Sequence, residues 1–414
     1  MGTTIMLSRI NAMGVLFAIA ALMALALTGG LALYAIIEDP GSNSYALLAE
    51  AFLNGRLDTT TCFDGDCARF EDKIFVMFPP VPAIIALPFV ALFGVNFSGF
   101  VFLSAIAFAL SVWLWWQIFE ELKVDRDVAI WLLLGLAFAT PLYFVTIRGD
   151  GIWFFAQAIG FAFTSLAIHQ MVRGGSLILA GACIGAAFLC RQMAVFYLPF
   201  LFALSLDRFE PLISFSREHI VRVLKLGLPA GVAVLIYLAY NYLRFGDPMQ
   251  TGYPYMIGAD IAEGGSMINY RLAEHGLWSS AYVLFNTLYM FVQGFHMDFG
   301  GNAMVDPAGL DPSGTALLAA SPFVLFAFFA PMRRPVLIGI ATILVIAVPT
   351  LFYHSNGYSQ FNVQRYALDW LPIVFYILAL ALADRDLRGL GLLVTFGIGL
   401  NLVTMAFLAL GLAG

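Results

Sequence analysis

Charge is what this sequence lacks. Only 11% of its 414 residues are Asp, Glu, Lys or Arg, while 61% are apolar; an ordinary globular chain carries about a quarter charged residues. Mean hydropathy is +0.89. A soluble domain of this size has no use for so much apolar surface, whereas a chain solvated by lipid does. The net charge of −6 is spread thinly, and the absence of a basic block excludes a nucleic-acid surface. Histidine is scarce as well. A lipid phosphatase or acyltransferase would want a His-based constellation, but His169, His275, His296 and His354 follow no common spacing. Neither an internal repeat nor a long polar segment is present. Residues 1–414 therefore read as one transmembrane domain with no soluble C-terminal domain.

Lys and Arg decide which apolar stretches cross the bilayer. They cluster at Arg9, at Lys123 with Arg126, at Arg173, from Arg208 to Lys225, at Arg333 with Arg334, and at Arg385 with Arg388. With all six clusters cytoplasmic, crossings are expected at 13–37, 98–120, 128–147, 152–171, 176–190, 192–206, 225–243, 314–331, 335–353, 368–383 and 388–412. That makes an all-α bundle of about 11 to 13 helices, N-terminus in and C-terminus out. The first run is longer than the roughly 7–15 residues of a signal h-region and is expected to be retained. Two stretches are not simple crossings: residues 74–94, broken by four prolines, and residues 277–297. Both are expected as embedded or juxtamembrane elements on the outer face. The spans either side of Arg191 are short and suggest a broken hairpin, and "LILAGACIGAAF" has the glycines of an unwound helix.

Four polar loops then share the outer side: 38–73, 148–151, 244–276 and 354–367. The first carries Glu38 and Asp39 followed by a short amphipathic helix, then Asp64, Asp66 and Lys73; the second carries Arg148 and Asp150. Each residue has an ordinary explanation. Acids at span ends are commonly just solvated, Asp150 and its glycines suit a tight turn, Trp153, Tyr253, Tyr255, Tyr358, Tyr366 and Trp370 suit an interfacial belt, and Arg365 can snorkel. Their convergence on one face is the stronger signal, because there a reactant from water can meet one carried in lipid.

The order of these features resembles the GT-C superfamily of membrane glycosyltransferases, which use polyprenyl-phosphate-linked sugars. Relatives include protein O-mannosyltransferases and lipid A aminoarabinose transferases. "DPGSNSYALLAEAFLNGRLD" is similar to the family's first-loop segment and "FPPVPAIIALPFVALFG" to the element after it. "NYLRFGDPMQTGY" and "FNVQRYALDWLPIV" resemble two later segments. The resemblance implies that Asp39, beside Glu38, is the catalytic base and that Asp150 is a second active-site carboxylate. Such a base would take the proton of an acceptor hydroxyl as it attacks the anomeric carbon, with inversion. The departing phosphate wants cations, and Arg365, Arg148, Arg191, Arg244 and Lys73 are the candidates. Glu38, Asp39 and Asp150 are candidates for holding Mg²⁺ or Mn²⁺, since hard cations take oxygen ligands. A bacterial inner membrane, with the site facing the periplasm, fits the short loops and the resemblance. The acceptor is a glycan, lipid or protein that the sequence does not name.

"CFDGDC" places Cys62 and Cys67 in the first outer loop, and in an oxidising compartment a disulfide is expected. A structural metal site would need further ligands that the neighbouring sequence does not supply. Asp64 and Asp66 suggest a calcium loop without its full ligand spacing. Cys183 and Cys190, seven apart inside a span, are expected as buried small residues. The rival reading is a transporter or flippase of a lipid-linked or small-molecule substrate. Such proteins keep ionisable residues at midplane and often have two related halves; here Arg191 is the main charge within the apolar runs.

Overall fold

Residues 38–257, 267–357, 363–383 and 387–409 are described by a computed structural model. The expected first crossing, residues 258–266 and Tyr358 lie outside these residues.

Among the described residues, four helices are long and apolar enough to cross a bilayer: Phe100–Glu121, Ile152–Val172, Arg217–Phe245 and the helix beginning at Leu387. Arg126–Phe138 and Pro141–Ile147, bent by 48°, make a fifth if taken as one broken span. Thr140 supplies a reason for the bend, since it opens the second piece by accepting the Leu142 N–H while Pro141 brings no donor. The remaining apolar runs form shorter pieces, including Leu177–Phe188, Leu198–Leu204, Arg334–Leu351 and Leu371–Leu382. Ile152–Val172 is central, with 83% of its apolar window buried; Arg217–Phe245, at 28%, turns most of its surface outward. On a chain this apolar, that outward face is the one suited to lipid.

Leu177–Phe188 is a regular helix, so its glycines do not unwind it. They admit a neighbour: a Cβ on Gly181 would sit 2.1 Å from the Leu226 carbonyl oxygen, and one on Gly185 would sit 2.9 Å from the Ala233 Cβ. The small residues at this spacing let Arg217–Phe245 lie close alongside. The helix stops at Phe188, the chain extends at Arg191, and a 3-10 turn, Gln192–Tyr197, leads into Leu198–Leu204. The helix break expected at Arg191 is therefore present.

The first outer loop differs from its expected form. Helix Tyr45–Leu53 is buried nearly all round, through Tyr45, Ala46, Leu47, Leu48, Ala49 and Ala51, rather than on one stripe. It packs against Val81–Phe93, a helix that tolerates Pro82 in its first turn, where no N–H partner is needed, and carries Pro88 inside. At 13 residues that helix rises only about 20 Å, short of a roughly 30 Å hydrocarbon core. Between the two helices runs a hairpin, Cys67–Phe70 paired antiparallel with Lys73–Val76. Residues 280–292 form consecutive 3-10, α and π turns, and a second hairpin pairs Met297–Gly300 with Asp306–Leu310.

Candidate functional site

A cavity of about 550 Å³ opens where the first loop meets the loop around Tyr253 and the segments around Tyr353 and Tyr366. Local chemistry explains why these segments converge. Cys62 and Cys67 form a disulfide whose Cα atoms are 6.1 Å apart. The bracketed Asp64 then reaches the start of helix Tyr45–Leu53, where its Oδ2 accepts the Ser44 N–H at 3.1 Å and the Ser44 hydroxyl accepts the Phe63 N–H at 3.1 Å. A carboxylate is well placed at a helix N-terminus. Cys67 carries the loop across to the next wall, its carbonyl accepting the Ile257 N–H at 2.8 Å. Gly252 makes that approach possible. It holds φ +94°, and a Cβ there would lie 2.8 Å from the Phe245 ring and 3.1 Å from the Ala68 Cβ.

The cavity is lined by two arginines. Arg191 stands at the helix break and is gripped by Asp369 at two points, Nη2 at 2.6 Å and Nε at 3.0 Å. Arg365 is buried in the 3-10 turn Arg365–Asp369, whose backbone is held by the Gln157 side-chain amide donating to the Arg365 carbonyl at 3.1 Å. Both guanidiniums lie on the ring of Tyr366, at 5.4 Å and 5.0 Å from its centre. Burial, and then the charge of Arg191, work against the charge on Arg365. With Arg191 already paired to Asp369, Arg365 is the charge that most favours an anion here, and Arg191 adds N–H donors beside it.

Asp66, on the disulfide loop, is a lining carboxylate as well. Burial raises its pKa to about 7, the neighbouring Asp64 adds to the rise, and Arg365 opposes it. Asp64 is itself raised by burial against the pull of its backbone hydrogen bonds. A carboxylate with its pKa near neutrality, in a cavity, is suited to proton transfer.

The sequence-derived candidates divide. Arg191 and Arg365 line the cavity; Glu38, Asp39, Asp150, Arg148, Arg244 and Lys73 are not among the lining residues. Glu38 is buried and caps the helix Phe100–Glu121, its Oε2 accepting the Val101 N–H at 3.2 Å and its Oε1 the Ser42 hydroxyl at 3.4 Å. Burial raises its pKa to about 7, with the Asp150 charge adding to the rise and the Val101 hydrogen bond opposing it. Asp39 is exposed. Asp150 pairs with Arg148 at 3.2 Å in the short turn before Ile152–Val172. Arg244 is buried and occupied, donating to the Val76 carbonyl at 2.5 Å and to Asn241 Oδ1 at 2.7 Å with its guanidinium 3.8 Å from the Tyr240 ring centre. Lys73 is exposed at the start of its strand.

Among the described residues, Glu38, Asp39 and Asp150, the set expected for Mg²⁺ or Mn²⁺, do not bring their ligand atoms within 4.8 Å of one another as a set of three. Glu38 spends its oxygens on a helix end and a hydroxyl, and Asp150 spends one on Arg148. Among the described residues, the acidic, His and Cys atoms that come within 4.8 Å of one another in a set of three are those of Cys62, Asp64 and Cys67, and both thiols are consumed by the disulfide.

Asp66, Asp369 and His354 line the cavity without being among the catalytic or phosphate-binding candidates expected from the sequence. Asp66 belonged to the Asp-x-Asp within the Cys-bracketed loop, and Asp369 to "RYALDW"; their motifs were visible, but not the walls they would meet. His354 is 1% exposed, and burial, reinforced by nearby Arg271, lowers its pKa to about 4.

No family model matches the sequence, and no curated protein sequence matches it. Among solved structures, the chain is similar to ArnT from Cupriavidus metallidurans bound to undecaprenyl phosphate, with a TM-score of 0.50 and 14% identity. The match covers 90% of this chain and 61% of that one, so the chain spans about 61% of the length of the structure it resembles. At that identity the likeness is one of fold. The protein is a helical membrane protein whose fold is like that of ArnT.

Proposed function

We propose that the protein is a membrane glycosyltransferase that moves a sugar from a polyprenyl-phosphate donor to an acceptor hydroxyl. The observation that carries this reading is the cavity itself, where Arg191, Arg365 and Asp66 come together in a fold whose solved relative is bound to undecaprenyl phosphate. Arg191 and Arg365 hold the donor phosphate, Arg365 with a buried fork and Arg191 with the N–H groups that Asp369 leaves available. Asp66 is the base. The acceptor oxygen attacks the anomeric carbon as its proton passes to the Asp66 carboxylate. The bond from that carbon to the phosphate oxygen breaks, and the phosphate leaves with the electron pair, so a single displacement inverts the centre. Asp39, Glu38 and Asp150 do not line the cavity, which is why the base is placed on Asp66. Glu38 acts as a helix cap, Arg244 and Lys73 have no part in phosphate binding, and Arg148 serves Asp150.

The disulfide supports placing the cavity on an oxidising face, the periplasmic side of a bacterial inner membrane. The topology that puts it there is the one expected from the basic clusters, with about 11 to 13 crossings. A transporter or flippase would use the same cavity without consuming the donor. Turnover of polyprenyl-phosphate sugars by purified protein, followed as released polyprenyl phosphate, tests the reading. Wild-type protein is expected to release it, Asp66→Asn to lose at least about 10²-fold in rate, and Asp39→Asn to stay within a few-fold. Lipid binding without release would favour the transporter; loss in Asp39→Asn alone would return the base to the start of the first loop.

A further inference from the structure

One wall of the cavity carries no side-chain charge. It is built from Tyr253, Trp278, Tyr353 and His354. Tyr353 is the centre of the group, with its ring centre 4.5 Å from His354, 5.2 Å from Trp278 and 6.5 Å from Tyr253. Its hydroxyl donates to the Tyr253 hydroxyl at 3.0 Å. The backbone beneath is pinned on both sides: the His354 N–H donates to the Leu277 carbonyl at 3.1 Å, and the Ser279 N–H to the Phe352 carbonyl at 2.9 Å. Arg271 lies behind the wall, its Nη1 donating to the His354 carbonyl at 2.9 Å and to the Asn356 carbonyl at 3.0 Å. The rings are thus held before any ligand arrives.

His354 lines the cavity with its ring packed against Tyr353 and Tyr253, at 4.5 Å and 5.7 Å between ring centres. The lining carboxylates belong to other segments, Asp64 and Asp66 to the disulfide loop and Asp369 to the pair with Arg191; of these, Asp66 lies near enough for its charge to act on Tyr253.

We propose that this wall is the subsite for the transferred group, and that the group is an uncharged pyranose. The inference rests on the glycosyltransferase reading and adds the class of sugar. Aromatic faces suit the C–H faces of a pyranose, and the satisfied Tyr353–Tyr253 pair leaves hydroxyl oxygens able to accept further hydrogen bonds. An ammonium or carboxylate on the sugar would lose its water against this wall without gaining a partner of opposite charge. The wall stays neutral at physiological pH, because burial keeps the imidazole of His354 unprotonated and holds the Tyr253 hydroxyl above its usual range. The cavity is therefore divided, with the arginines for phosphate and a neutral aromatic face for sugar. Its volume of about 550 Å³ lies within the range of roughly 300–1,000 Å³ typical of ligand pockets.

The test measures affinities of the full chain in detergent, by native mass spectrometry. Its probes are a polyprenol, its monophosphate, and that phosphate bearing glucose or mannose, galacturonic acid, or 4-amino-4-deoxyarabinose. The neutral sugars are expected to bind at least tenfold more tightly than the bare phosphate, and the two charged sugars no more tightly. Trp278→Leu and His354→Phe should remove the neutral-sugar gain while leaving affinity for the bare phosphate unchanged. Trp278 is half exposed, so its replacement keeps the test open if the buried histidine variant fails to fold. A gain of similar size for a charged sugar, or a neutral-sugar gain that survives both substitutions, overturns the subsite while leaving the donor reading intact. If the phosphate binds no better than the free alcohol, the donor reading falls, and the subsite with it.

Discussion

Arg191 and Asp369 are 178 residues apart in sequence, yet their side chains meet as a two-point ion pair with contacts of 2.6 Å and 3.0 Å. Asp369 keeps only 6% of its side chain exposed and Arg191 20%, so the pair is shielded where it sits between the helix break and the 3-10 turn. Removing one partner of such a pair strands the other. Asp369→Asn is expected to destabilise the protein by about 3–5 kcal/mol, the usual cost of an uncompensated buried charge, as a lowered midpoint of thermal unfolding in detergent. Arg191→Lys keeps the charge and loses the planar fork. It should stay folded, with donor KM raised on the order of tenfold and a smaller change in kcat. Unchanged donor KM would remove Arg191 from the phosphate site.

Asp66 sets the pH dependence. A base must be deprotonated to act, and burial, with Asp64 beside it, places the pKa at about 7. Turnover at limiting donor is therefore expected to be low at pH 5.5, to rise through pH 7 and to level off above it. Asp64→Asn removes the neighbouring charge that raises Asp66 and should move the midpoint toward lower pH, while an amide oxygen there can still accept the Ser44 N–H. A pH profile that Asp64→Asn leaves in place would point to a different titrating group.

Much of this architecture could be read from the sequence, and the misses have a common cause. Hydropathy located Phe100–Glu121 and Ile152–Val172 within a few residues of the expected 98–120 and 152–171, because a long apolar run has few alternatives to a helix in lipid. Arg191 was conspicuous as a charge among apolar spans. Tyr45–Leu53 was expected to show a solvated face; it is instead covered by Val81–Phe93 and by the disulfide loop, contacts that no local pattern announces. Asp66 was visible in "CFDGDC", but its meaning depends on Arg365, almost three hundred residues away. Periodicity reports on neighbours within a turn or two; which loop covers which wall is decided by tertiary contacts.

Glu38 links stability to pH in a way that separates its capping role from catalysis. Its pKa is about 7 in the folded protein against an ordinary 4.5, chiefly because of burial. The folded state thus holds a proton that the unfolded chain has already released between those two values. The stability this contributes is fully present below pH 4.5 and is lost as pH rises through 7. Glu38→Gln cannot titrate and should flatten that part of the stability curve, with turnover at pH 7.5 reduced no more than a few-fold. A hundredfold loss of turnover in a well-folded Glu38→Gln protein would put this carboxylate back into the chemistry.

The Cys62–Cys67 bond should matter more to the cavity than to the global fold. It closes a very short loop, for which chain entropy alone yields only about 2 kcal/mol, yet that loop carries both Asp64 at the helix start and Asp66 on the cavity lining. With the bond opened, Asp66 loses one of its two anchors, while the Cys67 carbonyl still accepts from Ile257. Cys62→Ser, or treatment of the wild type with a reducing agent, is expected to lower kcat by tenfold or more with a modest shift in unfolding temperature. Cys183→Ala, which alters a buried thiol away from the cavity lining, should respond to the reductant as the wild type does. Full activity of a protein whose bond is shown to be open by thiol labelling would mean that Asp66 is held in place without it, and that the disulfide serves stability alone.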